Sequence, residues 1–180
     1  MDNLTKEIHA LEEEVIQLRR DFHMHPELGY KEYRTSKIVY DYLKDLGLEV
    51  KKIAKTGVVG ILRGKEPGKT VMLRADMDAL PQKEDTGLPY ASVNDGIMHA
   101  CGHDGHVAML LVAAKVLANH RDEIKGNIKF VFQPNEEEAG ALDMIKEGVL
   151  EDPKVDGAFA IHLWTPLKTG EIGLTEGPIM

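Results

Sequence analysis

HVAMLLVAAKVLA, residues 106–118, and, a short loop later, IKFVFQ, residues 128–133, decide the fold. The first run is apolar nearly all round, so it predicts a helix enclosed by protein on every side. The second is too short for a helix and rich in aromatic and β-branched residues, and it predicts a strand buried on both faces. A strand covered on both faces needs a layer above and a layer below.

The neighbouring segments supply those layers. Upstream, LEVKKI (48–53), VVGIL (58–62) and TVMLRA (70–75) are β-rich, the last two separated by the turn RGKEPGK (63–69). Downstream, AGALDMIKEGVL (139–150) reads as a helix, DGAFAIHLW (156–164) as a strand and EIGLTE (171–176) as a last short strand. At the start of the chain Leu4, Ile8, Leu11, Val15 and Leu18 recur at helical spacing and predict one helix to about His23, ended by Pro26. TSKIVYDYLKDLG (35–47) predicts a second, with Gly47 as its stop. Helices alternating with strands predict an α/β fold, a three-layer sandwich with a largely parallel mixed sheet.

Charge and composition exclude several classes. Lys and Arg number 22 against 30 Asp and Glu, a formal net charge of −8, and no basic run exceeds two residues. Nucleic acid and anionic membrane are therefore not expected partners. No apolar stretch approaches the ~20 residues that span a bilayer. The opening MDNLTKEIHALEEEV is acidic and amphipathic, unlike a signal peptide, and with one cysteine in the chain this predicts a reducing cytoplasm.

In such folds ligands bind beyond the carboxyl ends of the strands. Asp76-Met77-Asp78 follows TVMLRA, Pro134-Asn135 and the triple glutamate 136–138 follow IKFVFQ, and His162 sits near the end of GAFAIHLW. MHACGHDGH (98–106) leads into the buried helix with His99, Cys101, His103 and His106. A lone cysteine makes no internal disulfide, and its place near the positive end of a helix favours a low thiol pKa. Four segments thus bring metal-type ligands or carboxylates to one sheet edge, which predicts a metal site.

Other readings fall away. GKEPGKT has three residues between its glycines where a phosphate loop needs four, and no helix follows it. Neither G-x-S-x-G nor G-x-G-x-x-G occurs. His23 and His25 follow a helix, whose negative end suits histidine, and are read as structural. His9 and His120 lie on predicted helices without a partner motif and are read as solvated or packed. Leu163 and Trp164 either line a substrate pocket or simply end an apolar strand.

Five stretches, RRDFHMHPELGYKE (19–32), LRADMDALPQKEDTGLPYAS (73–92), MHACGHDGH (98–106), VFQPNEEEAGALDMIKEGVL (131–150) and AIHLWTPLKTGEIGLTEGPIM (160–180), together resemble the M20 metallopeptidases. Within them the likeness is to the amidohydrolase subfamily of N-acyl-amino-acid deacylases. The resemblance implies a zinc-exopeptidase-like catalytic domain holding two divalent ions of zinc, manganese, cobalt or nickel. It implies Cys101 as bridging thiolate, His103, Glu137 and His162 as further ligands, Glu136 as general base and Asp78 as the acid that orients a ligand histidine. Glu138 stands where the family commonly has glycine, and Asn135 where alanine is usual; neither is a ligand.

The implied reaction is hydrolysis of the amide bond of an N-acyl amino acid or similar small conjugate. A dipeptidase or exopeptidase of the same family, or a non-catalytic metal-binding fragment, is the alternative. Consecutive side chains of an extended segment point to opposite sides, so Glu136 and Glu137 are expected to split the roles of base and ligand. The glycines of CGHDGH are expected to let the backbone approach the metal. By the resemblance, residues 1–180 form the N-terminal part of the catalytic domain. The family's lid and dimerisation domain, and the returning segment with its last histidine ligand, are then expected to be absent. Homodimer formation or pairing through an open sheet edge is also expected.

Overall fold

The computed structural model describes residues 3–177; Pro178, Ile179 and Met180, the end of the last matching stretch, lie outside the described residues. Helix α1 spans Asn3–Ala10 and α2 Glu12–Met24, so the expected single N-terminal helix is broken at Leu11. Leu11 N–H bonds back only three residues, to Ile8 O at 3.0 Å. Glu12, Glu13 and Glu14 then occupy the first turn of α2, where the helix dipole favours carboxylates and supports a fresh start.

Helix α3 spans Tyr33–Asp45. The Glu27 carboxylate caps it, accepting the N–H groups of Arg34 at 2.9 Å and Thr35 at 2.8 Å. Gly47, at φ 74°, takes the left-handed turn that ends it.

Strands β1 (Glu49–Ile53), β2 (Gly57–Arg63), β3 (Glu66–Asp76), β4 (Lys125–Gln133) and β5 (Gly157–Ala160) form one sheet in the order β1-β2-β4-β3-β5. The pairs β1–β2 and β2–β4 are antiparallel, while β3 runs parallel to both β4 and β5. The sheet is therefore mixed, and parallel in the half that carries the candidate site.

Alternation along the central strands supplies both layers. Val58, Leu62, Phe130 and Phe132 join Phe22, Val39, Leu43, Leu111 and Ala114 of the helices α2, α3 and α4 (His103–Asn119) in one core. Val59, Ile61 and Val131 point the other way and pack with Met144 of α5 (Ala141–Lys146) and Val149. These are the three layers that HVAMLLVAAKVLA and IKFVFQ predict.

Two strand expectations are corrected. β5 ends at Ala160, opposite Arg74, because the chain beyond it leaves the sheet and crosses to α4. EIGLTE is not a strand: no described neighbour pairs with it, and Ile172 and Leu174 are exposed. No described helix is long and apolar enough to cross a membrane.

Candidate metal centre

Because β3 and β4 are parallel, their carboxyl ends finish together. Met77 N–H continues the ladder to Gln133 O at 2.9 Å, so the residues after both strands leave the sheet side by side. Beside them α4 begins at His103, preceded by Gly102 at φ 88°, a backbone turn that suits glycine.

His103 is completely buried. Its Nδ1–H donates to the Asp78 main-chain carbonyl at 2.8 Å, with the Asp78 carboxylate second at 3.4 Å. That bond fixes the tautomer and leaves the Nε2 lone pair free. Nε2 has no hydrogen-bond partner. It faces Asp76 Oδ1 at 3.7 Å, Glu136 Oε2 at 3.8 Å and Glu137 Oε1 at 3.9 Å. Those separations exceed hydrogen bonds. An orphaned buried lone pair ringed by carboxylate oxygens fits a cation.

The thiol completes a second group. Cys101 Sγ lies 3.5 Å from His162 Nε2, and the ligand atoms of Cys101, His103 and His162 lie within 4.8 Å of one another, as do those of His103, Glu136 and Glu137. All four residues expected as ligands therefore converge, with Glu136 beside them. Asp78 meets them twice, since its Oδ2 also accepts the Glu137 N–H at 3.1 Å.

Two details differ from expectation. Glu136–Glu138 form a 3₁₀ turn rather than an extended segment, so successive side chains rotate by about 120° and both carboxylates approach His103. Asn135, in the left-handed conformation at φ 50°, starts that turn. The Cys101 thiol is not lowered: burial, and then the Glu137 carboxylate, push it up to about 12 without a cation nearby. The glycines of CGHDGH give room to Leu163, which lies against both.

The remaining electrostatics show how the carboxylates are held. Burial alone would raise Asp76, but the hydrogen bond from His106, with His103 and Arg74 nearby, brings it down to about 2. Burial also works against protonated His103, yet Asp78 and Asp76 carry it above its ordinary value.

His23, His25, His99 and His120 belong to none of these ligand groups. His23 Nδ1 bonds Asp104 at 2.8 Å and its Nε2 meets Glu84 at 3.2 Å, the structural role expected of it. His25 bonds back to Asp21 O at 2.8 Å, and His120 bridges Glu7 and Glu123. His99 is buried, with both ring nitrogens unpartnered, and burial holds it down at about 4. Trp164 is exposed. Arg74, which pairs with Asp76, and Glu32, which holds the Asn135 N–H, lie inside the matching stretches but were assigned no role from sequence.

An α/β sandwich with imidazole, thiol and paired carboxylates at the carboxyl edge of its parallel strands has the donor set of a metal-binding fold. Residues 72–177 match the Peptidase family M20/M25/M40, and the chain belongs to that family. It is 44% identical over 182 residues to an N-acyl-L-amino acid amidohydrolase of Geobacillus stearothermophilus, covering 99% of this chain and 49% of the relative. It is 48% identical over 185 residues to thermostable carboxypeptidase 1 of Saccharolobus solfataricus, covering 100% and 47%. Bacillus subtilis YxeP, described as a dinuclear metal-binding peptidase of the M20 family, superposes with a TM-score of 0.89 at 42% identity, over 94% of this chain and 48% of that one. The chain spans about half the length of these relatives.

Proposed function

We propose that the protein is a metal-dependent amidohydrolase that releases the acyl group from N-acylated amino acids or similar small amide conjugates. The unpartnered Nε2 of buried His103, facing three carboxylates, carries the reading. The amidohydrolase likeness over the whole chain supports the substrate class, and YxeP's two-metal description supports a pair of divalent ions. Cys101, His103, Glu137 and His162 would hold them.

Bound divalent ions supply Lewis acidity, polarising the scissile carbonyl and acidifying water at neutral pH. Glu136 takes a proton from the attacking water at its carboxylate and delivers it to the leaving amine. Asp78 orients the others: its carbonyl fixes the His103 tautomer and its carboxylate anchors the Glu137 main chain. On this reading the 180 residues are the N-terminal part of the catalytic domain, working in the cytoplasm, where the thiol stays reduced. The unpaired side of β5, with Phe159 exposed, would support self-association.

The likeness to a carboxypeptidase favours a second reading, an exopeptidase. Two measurements test the metal site and the substrate class. Chelator-treated protein is titrated with cobalt(II), where a thiolate–cobalt absorption band lost in Cys101→Ser is expected; unchanged cobalt binding in that variant removes Cys101 from the site. The gene's full-length product is then assayed on N-acetyl and N-benzoyl amino acids beside dipeptides, and turnover of the dipeptides alone would overturn the substrate class.

A further inference from the structure

The second histidine of CGHDGH, His106, lies next to the ligand cluster, and the ligand atoms of Asp76, His103 and His106 lie within 4.8 Å of one another. His106 nevertheless has no lone pair to offer a cation. The Leu163 N–H donates to its Nε2 at 2.9 Å, so the ring proton resides on Nδ1 and donates to Asp76 Oδ1 at 2.6 Å. The other Asp76 oxygen accepts Arg74 Nη1 at 2.7 Å, and Arg74 Nε reaches Gln133 Oε1 at 3.0 Å. A continuous chain of hydrogen bonds thus runs from β4 through β3 and α4 to the segment after β5.

Two glycines shape the far end of that chain. The three nearest neighbours of a Cβ on Gly102 would all be Leu163 atoms, the nearest 3.2 Å away, and one on Gly105 would come within 2.8 Å of Leu163 Cδ1. The Leu163 side chain rests in the notch they leave.

His162 precedes Leu163 directly. β5 ends at Ala160, and residues 161–177 are exposed without regular structure, so no ladder fixes this imidazole. Its ring instead packs edge-on against His106, centroids 4.6 Å apart, and its Nδ1–H donates to Leu163 O at 2.7 Å. That leaves Nε2, with its lone pair, facing Cys101 Sγ at 3.5 Å.

We infer that His106 is a positioning residue: braced by Asp76 and Arg74, and together with the Gly102–Gly105 notch, it seats Leu163 and so sets His162 Nε2 beside Cys101. The inference rests on the metal site proposed above.

Cobalt(II) affinity of the chelator-treated chain, measured by competition with an indicator dye, tests it. His106→Asn keeps a donor toward Asp76 and loses the acceptor for Leu163; His106→Gln places a carbonyl nearer that N–H. Leu163→Pro deletes the donor from an exposed segment and leaves the buried helix intact. Supporting a ligand from outside the first sphere is typically worth about 10–100-fold in metal affinity, and that loss is expected for His106→Asn and Leu163→Pro, with partial recovery in His106→Gln. In a His162→Ala background His106→Asn should change affinity by less than about 3-fold, because the ligand it serves is gone.

Equal losses in both backgrounds, or additive losses from His106→Asn and Leu163→Pro, would make the effect merely structural and overturn the inference. Unchanged affinity in His106→Asn while His162→Ala is weak would overturn it too, leaving the metal site intact. Full affinity in His162→Ala would instead strike the site reading and this inference together.

Discussion

Gly29→Ala tests how the glutamate turn is held. A Cβ at Gly29 would lie 1.9 Å from Asn135 Oδ1, 2.8 Å from its Cγ and 3.1 Å from its Cβ. Turning the Asn135 side chain clears the first two atoms and not the third. The Asn135 backbone cannot retreat freely: its N–H donates to Glu32 Oε1 at 2.9 Å, and its carbonyl accepts the Gly140 N–H at 2.7 Å. Glu32 is itself completely buried, with Thr56 Oγ1 donating to its second oxygen at 2.6 Å. The new methyl group therefore displaces the start of the turn that carries Glu136 and Glu137.

Overpacking of this kind costs about 1–3 kcal/mol of stability, and a shift of ~1 Å in catalytic groups can cost on the order of 100-fold in rate. Asn135→Gly removes all three contacting atoms and accepts φ 50°, so alone it should cost about 0.5–1 kcal/mol. The double variant should recover most of the loss, a coupling of about 1–2 kcal/mol. Urea midpoints at constant slope measure the stability, and cobalt content reports the turn. Additive losses, or a Gly29→Ala variant as stable as the parent, would refute this packing account of the HPELG segment.

Three further outcomes are expected. In the gene's full-length product Glu136→Gln should lower turnover about 10²–10⁴-fold with metal content kept, while Glu137→Gln loses metal as well; equal metal loss would merge the two roles. Asp76, lowered from 3.8 to about 2, adds stability that is complete above pH 4 and disappears as pH falls toward 2, about 2 kcal/mol in all; metal-free Asp76→Asn should flatten that acid limb of the melting curve, and an unchanged limb would remove Asp76 as its source. Lys129 is buried and its ammonium donates to the carbonyls of Val149, Glu151 and Pro153 at 2.9, 2.7 and 2.8 Å, so Lys129→Met should cost about 2–4 kcal/mol in urea, and a loss below ~1 would mean water replaces it.

The layers were legible because they follow from runs that admit one burial pattern. Phe130 and Phe132 face one core and Val131 the other, as an apolar strand requires. The meeting place of Asp78, Cys101, His103, Glu136, Glu137 and His162 was legible from position after strands and, for Cys101 and His103, at the start of the buried helix. Local backbone was harder. Nothing short-range announces that Asn135 turns left-handed and coils the glutamates into a 3₁₀ turn, since Glu32, 103 residues away, takes its N–H. EIGLTE alternates like a strand, but pairing belongs to the partner, and no described residue pairs there. The expected low thiol pKa weighed a helix end against nothing; burial and Glu137 outweigh it.

His99, His103 and His106 show what spacing can and cannot decide. Three residues apart on α4, His103 and His106 share a face and both reach the Asp76 carboxylate, at 3.7 and 2.6 Å. Spacing alone gives them equal standing as ligands. Their fates diverge at the second nitrogen: the Asp78 carbonyl takes Nδ1 of His103 and frees Nε2, while the Leu163 N–H occupies Nε2 of His106 and leaves it a brace. His99 precedes the helix and sinks into the protein with neither nitrogen used. On the proposed reading, the difference between ligand and support lies in main-chain groups contributed by the segments after β3 and after β5. Substituting residues around those two groups, rather than the histidines alone, is what will tell the roles apart.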